Sequence, residues 1–200
     1  MAYVYKYVDS PLGKLKVILN DERLAAILWE TERPDRVRLG EMVEVDSTPM
    51  LEEVERQLQE YFAGRRSHFD VPLDFKGTDF QKKVWHALLT IPYGETRSYL
   101  QIAVQVGNPK AVRAVGAANG KNPISIVAPC HRVIGSGGQL TGFAGGLQAK
   151  NYLLALETRD LARLESARHE DVTANGKVLP ASRSNAQATL FCTDDAYVDA

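Results

Sequence analysis

The chain has only two cysteines in 200 residues, and Cys130 and Cys192 are too far apart in sequence to make a disulfide framework or a Cys-rich zinc site. No apolar run approaches the roughly 20 residues of a membrane span, so no membrane partner is expected. The N-terminus lacks the charged and apolar order of a secretory leader. These absences fit a reducing, intracellular, cytoplasmic setting. No internal repeat and no long low-complexity tract is present. Nor is there an excess of positive charge over the whole chain: the formal net charge is −1, which by itself argues against a nucleic-acid partner.

The distribution of charge argues otherwise. Residues 78–157 hold eight Lys and Arg against Asp79, Glu95 and Glu157, while the segments on either side are net acidic. A basic segment inside an acidic chain is the footprint of a polyanion partner. Hydrophobic content of 44% and charged content of 24% are those of an ordinary globular protein, long enough for one domain or two small ones.

Tyr3–Val8, Leu15–Leu19 and Leu24–Leu28 read as three strands of an antiparallel meander, with turns at Ser10-Pro11-Leu12-Gly13 and Asn20-Asp21-Glu22. Thr48-Pro49 opens a helix with Leu51, Val54, Leu58, Tyr61 and Phe62 on one face, ending at Gly64. A further strand around His68–Leu73 would complete a small α+β domain over residues 1–77. That domain carries no chemical motif, and its expected role is structural. From Thr78 the pattern turns helical, with Phe80, Val84, Leu88 and Ile91 on one side and a stop at Pro92-Tyr93-Gly94. Ser98-Tyr99-Leu100-Gln101 is a capping box for a helix running to about Val106. Gly107-Asn108 turns the chain, and Pro109 suits the first position of a second helix over Lys110–Asn119. Two short helices about a tight turn read as helix-turn-helix. Leu147 begins a last helix that ends near Glu157. Residues 158–200 have little sustained periodicity and read mostly as a flexible tail, although Leu161–Ala167 could extend a helix.

The chemistry concentrates in Pro129-Cys130-His131-Arg132-Val133. Ile124-Ser125-Ile126-Val127 leads in as a β-type run and Gly135-Ser136-Gly137-Gly138 follows as a turn. A thiol hides the nucleophilic thiolate, and a neighbouring imidazole is the usual means of exposing it. Small residues fill the second helix of the helix-turn-helix, Ala111-Val112-Arg113-Ala114-Val115-Gly116-Ala117-Ala118. They permit the close approach of another surface, and Arg113 is the one long cation among them.

Taken together, Gly107–Gly116, Asn122-Pro123, Pro129–Val133, Gly145-Gly146-Leu147 and Glu157 closely resemble the O6-alkylguanine-DNA alkyltransferases, the suicide repair proteins also called methylated-DNA–protein-cysteine methyltransferases. The resemblance is dense over residues 78–157 and looser over the N-terminal domain. It implies an α+β protein, with a small ribonuclease-H-like N-terminal domain followed by a winged-helix-like alkyltransferase domain. It also implies direct reversal of O6-alkylguanine damage, with O4-alkylthymine open as a second substrate. Cys130 would be the alkyl acceptor and His131 the base acting through a bridging water. Glu157 would orient His131 in a Cys–His–Glu version of triad logic. Thiolate stabilisation by that pair would depress the pKa of Cys130. Asn122 would hold the turn before the cysteine, and the Tyr99 hydroxyl would contact the flipped guanine. The carbonyls of Cys130 and Val133 would accept from the guanine amino group, with Phe143 and Ala144 completing the base pocket. Arg113 would fill the gap left in the base stack. With Lys110, Ala114 and Gly116 on the same helix, it would bind double-stranded DNA through the minor groove.

The departures from the family pattern are Ala128, Phe143 and Ala144, where relatives often carry Ile or Val, Tyr, and Ser. They bear on alkyl size rather than on the reaction. The metal-ligand cysteines of the family's adaptive-response regulators are missing, so no zinc and no cofactor are expected, and the protein is expected to act as a monomer. Two other readings use the same residues. A non-catalytic lesion-binding protein on this fold would not have cysteine at position 130. A cysteine hydrolase would leave the basic helix-turn-helix without a purpose.

Overall fold

A computed structural model describes residues 3–160. The expectations for the tail, for a helix over Leu161–Ala167 and for the surroundings of Cys192 lie outside the described residues. β1 (Tyr3–Ser10), β2 (Gly13–Asn20) and β3 (Arg23–Trp29) form the meander, and β4 (Met42–Glu44) pairs parallel to β1, giving the order β3-β2-β1-β4. Gly13 turns the first hairpin at φ +92°, a conformation that costs glycine little. α1 (Pro49–Phe62) begins where the Thr48 hydroxyl accepts from the Leu51 N–H and Pro49 occupies the first turn. Its Leu51, Val54, Leu58 and Tyr61 are buried and its contacts run to β1 and β2.

The strand expected around His68–Leu73 does not form. Leu73 makes one isolated bridge to Leu24, with Leu24 donating to the Pro72 carbonyl and Asp74 donating to the Leu24 carbonyl. Pro72 has no N–H to give a ladder, so the segment follows the edge of β3 without becoming a strand. β4 was missed because three exposed residues in a charged stretch carry no alternation.

The second half is helical. α2 (Asp79–Leu89) starts at a full capping box between Thr78 and Gln81, and α3 (Tyr99–Gln105) starts at another between Ser98 and Gln101. α4 (Val112–Gly120) begins later than the expected Lys110. Ala111 donates to the Asn108 carbonyl, so Pro109 sits in the second position of a β-turn that precedes the helix. α5 (Gly146–Thr158), the last element among the described residues, packs against a 3₁₀ turn, Cys130–Arg132. The two-residue strands β5 (Arg97–Ser98) and β6 (Val133–Ile134) pair in parallel and tie the start of α3 to the end of that turn.

Ile124–Val127 is not a strand either. It makes a single bridge from Ile124 to Ile27, then turns on itself, with Val127 donating to the Ser125 carbonyl and Ala128 to the Ile124 carbonyl. Ile126 takes φ +72°, strained for a β-branched residue. The run is nonetheless wholly buried, which explains its apolar composition. Ile27 donates to the Pro123 carbonyl, so the loop before Cys130 hangs from β3 of the sheet. One continuous core joins sheet and helices: Trp29, Tyr61, Trp85 and Tyr152 all belong to it.

Candidate active site

Cys130 is 3% exposed at the start of the 3₁₀ turn. Asn122, fully buried, sets the loop that precedes it. Its amide donates to the Ala128 carbonyl at 2.7 Å, and its carbonyl oxygen accepts from the Ile124 N–H at 3.1 Å. Ala128, with no exposed surface, also accepts from the Cys130 N–H at 2.8 Å. His131 and Glu157 meet in the interior, Nε2 to Oε1 at 2.8 Å. His131 Nδ1 is buried and makes no hydrogen bond to protein.

Glu157 is the hub. Oε1 also accepts from the Tyr61 hydroxyl at 2.7 Å and from Arg132 Nη2 at 2.9 Å, while Oε2 accepts from Arg132 Nε at 2.8 Å and from the Gly94 N–H at 3.1 Å. Burial alone would raise the pKa of this carboxyl, but the bonds and charges of His131 and Arg132 hold it at about 2. Burial depresses the pKa of His131, against the pull of Glu157. It also raises that of the Cys130 thiol, opposed only in part by Asn122 and by the charges of Arg36 and Lys150. The expectation of a depressed cysteine pKa is therefore corrected. At so buried a position, the cost of a poorly solvated thiolate outweighs its neighbours. Cys130 therefore rests as a thiol.

A cavity of about 860 Å³ is lined by Tyr99, Gly116, Thr141, Phe143 and Ala144. The Tyr99 hydroxyl is 2.8 Å from Thr141 Oγ1, and Phe143 stacks edge-on between Trp29 and His131. Cys130 and Val133, both buried, are not among the residues that line the cavity. Lys150 Nζ donates to the Val133 carbonyl at 2.6 Å and to the Thr141 carbonyl at 3.1 Å, and Asn119 Nδ2 reaches the Cys130 carbonyl at 3.4 Å. Both carbonyls expected to read guanine thus already have protein partners, and the Cys130 carbonyl has two, because it also accepts from the Val133 N–H. Lys110, just before α4, and Arg113 and Ala114 on it are exposed.

Sequence reading assigned no role to several residues at the site. Arg132 and Lys150 are buried cations whose partners are backbone carbonyls and Glu157, and no spacing announces such partners. Arg36, from the loop after β3, donates to the Asn122 carbonyl at 2.6 Å, pairs with Glu32 and lines the cavity. Tyr61 looked like one more apolar position of α1.

The fold and this site define a protein with a helical DNA-binding domain, a buried cysteine and a buried His–Glu pair. The chain belongs to the 6-O-methylguanine DNA methyltransferase family. The family's ribonuclease-like domain matches residues 3–75, and its DNA-binding domain matches residues 79–159. Similar proteins include the methylated-DNA–protein-cysteine methyltransferase of Mycolicibacterium paratuberculosis, 50% identical over 157 residues, which cover 78% of this chain and 92% of that one. The constitutive enzyme of that name from Bacillus subtilis is also 50% identical over 157 residues, 76% of this chain and 94% of the relative. Among solved structures, Mycobacterium tuberculosis OGT in complex with DNA superposes with a TM-score of 0.74 at 44% identity, covering 84% of this chain and 99% of that one.

Proposed function

We propose that the chain repairs DNA by direct reversal, taking the alkyl group of an O6-alkylguanine onto Cys130 in a single, irreversible turnover. The observation that carries this reading is a buried thiol followed in sequence by a histidine that Glu157 holds at 2.8 Å, with His131 Nδ1 left without a protein partner. Nδ1 takes the thiol proton through a bridging water. The sulfur forms a bond to the alkyl carbon as the C–O6 bond breaks, and that bond's electron pair passes to the guanine. The leaving base is protonated with help from the Tyr99 hydroxyl. The net change moves the alkyl group to sulfur and one proton from the thiol to guanine. The ionised Glu157 stabilises the imidazolium while it lasts. A thioether has no hydrolytic exit at neutral pH, so the protein acts once.

The base is reached by extrusion from the duplex. α4 lies along the minor groove with Lys110, Arg113, Ala114 and Gly116, and Arg113 enters the stack. Residues 78–157 are the transfer unit and residues 1–77 support it; the protein acts as a monomer in the cytoplasm. Incubation with duplex DNA carrying radiolabelled O6-methylguanine tests the reading. Label should pass to protein and stop at one equivalent. Binding that leaves the label on DNA would instead assign the chain to the lesion-binding class.

A further inference from the structure

The sheet domain carries no motif, yet it reaches the relay. Tyr61 lies on α1, is fully buried, and donates to Glu157 Oε1, the same oxygen that holds His131 Nε2. Residues 61 and 157 are 96 positions apart, so this bond depends on the docking of α1 against the helical half. We propose that Tyr61 is a positioning residue of the transfer, its hydroxyl fixing the Glu157 oxygen that orients His131. The proposal rests on the relay reading of His131 and Glu157 given above.

The geometry allows little else for this hydroxyl. An ionised carboxylate only accepts, so the Tyr61 O–H must donate. Burial and the nearby Glu157 charge raise the pKa of the phenol well above its ordinary value, so it stays a donor throughout the working pH range. The ring packs against Phe62, Phe69 and Tyr93, at centroid separations of 5.5, 5.5 and 6.1 Å, which fixes where the hydroxyl points. The charged and titratable groups around Glu157 are His131 and Arg132 from the 3₁₀ turn, Tyr61 from α1 and Tyr93 from the loop after α2. Lys150 on α5 and Arg159 just past its end act more weakly, through His131 and Tyr93. Of these, the sheet domain supplies only Tyr61. Its hydrogen bond withdraws charge from Oε1, which limits how strongly Glu157 stabilises a protonated His131. Removing the hydroxyl makes the carboxylate a stronger partner for the imidazolium, so His131 holds its proton to higher pH.

The test uses the full chain. Tyr61→Phe keeps the ring and removes the bond. Transfer from O6-methylguanine duplex should slow about two- to tenfold at neutral pH. The acid limb of the pH–rate profile, and the His131 ring titration followed by NMR, should move to higher pH together. DNA affinity should stay as in the wild type. Placing 3-fluorotyrosine at position 61 alone retains fold and bond while strengthening the donor, and should move both readouts to lower pH. In a Glu157→Gln background, Tyr61→Phe should slow transfer no further. Unmoved titrations in both Tyr61 variants, or an undiminished effect of Tyr61→Phe when Glu157 is Gln, would overturn the inference. A Glu157→Gln protein with wild-type rate and wild-type acid limb would overturn the relay itself.

Discussion

Replacing Asn122 by alanine should unfold the loop before Cys130 more readily than any change of similar size on the surface. The substitution removes the donor to the Ala128 carbonyl and the acceptor for the Ile124 N–H. The two losses differ. Ala128 keeps a second partner in the Cys130 N–H, so only the net worth of one bond is lost there, about 1 kcal/mol. Ile124 is fully buried, and its N–H is left unsatisfied at a cost of about 1–3 kcal/mol. The loop already carries the strained Ile126 at φ +72°, which only surrounding bonds can hold. A total of about 2–4 kcal/mol lowers the melting temperature by roughly 5–15 °C for a chain of this length. Asn122→Asp separates the two contributions. It keeps an acceptor for Ile124 but turns a carboxylate oxygen toward the Ala128 carbonyl, so its folded-state pKa rises. Its deficit should be smallest near pH 4, where the acid is protonated and can donate, and should grow as pH rises through the folded pKa. Differential scanning calorimetry measures both. An Asn122→Ala protein melting within about 2 °C of wild type would refute the reasoning.

Arg113→Ala should depress repair of duplex DNA more than reaction with free O6-benzylguanine, because only the duplex requires base extrusion; equal losses would make Arg113 structural. Stability should fall on both sides of neutrality, as urea midpoints across pH would show. Below about 6.5 the unfolded chain protonates His131 while the folded chain resists, and further loss follows as pH drops from about 4.5 through the folded pKa of Glu157 at about 2. Above about 9 the unfolded chain ionises Cys130 before the folded chain does, so stability falls again. Methylation of Cys130 should lower the melting temperature, since an extra methyl on a residue only 3% exposed overpacks the site by about 1–3 kcal/mol. A stoichiometrically methylated protein melting at or above the free protein would show that the site admits the adduct without strain.

Local chemistry made part of this fold readable from the residues. The capping box at Ser98 and the N-cap at Thr48 fixed two helix starts, because a side chain and a backbone N–H three residues on are enough to define them, while at Thr78 the change of apolar period alone marked the start. Ile124–Val127 misled because burial on all sides yields the same apolar run whether the backbone is extended or turned. Pro109 misled because a β-turn and a first helical turn ask the same φ of proline. The residues brought to the relay from far away left no local trace. Tyr61 satisfies the apolar period of α1 and differs from a packing aromatic only by a hydroxyl whose partner lies 96 residues on. Arg132 and Lys150 look like surface cations until the chain folds over them. The sign of the Cys130 shift followed from burial, which His131 as a neighbour in sequence does not reveal.

The central claim is that Cys130 accepts the alkyl group. Peptide mapping by mass spectrometry, after saturating reaction with O6-methylguanine duplex, tests it most directly. One added methyl should appear on the peptide containing Cys130, none on the peptide containing Cys192, and Cys130→Ser should bind lesion DNA without acquiring any. Methyl on another residue, or continued repair by sub-stoichiometric protein, would contradict the account.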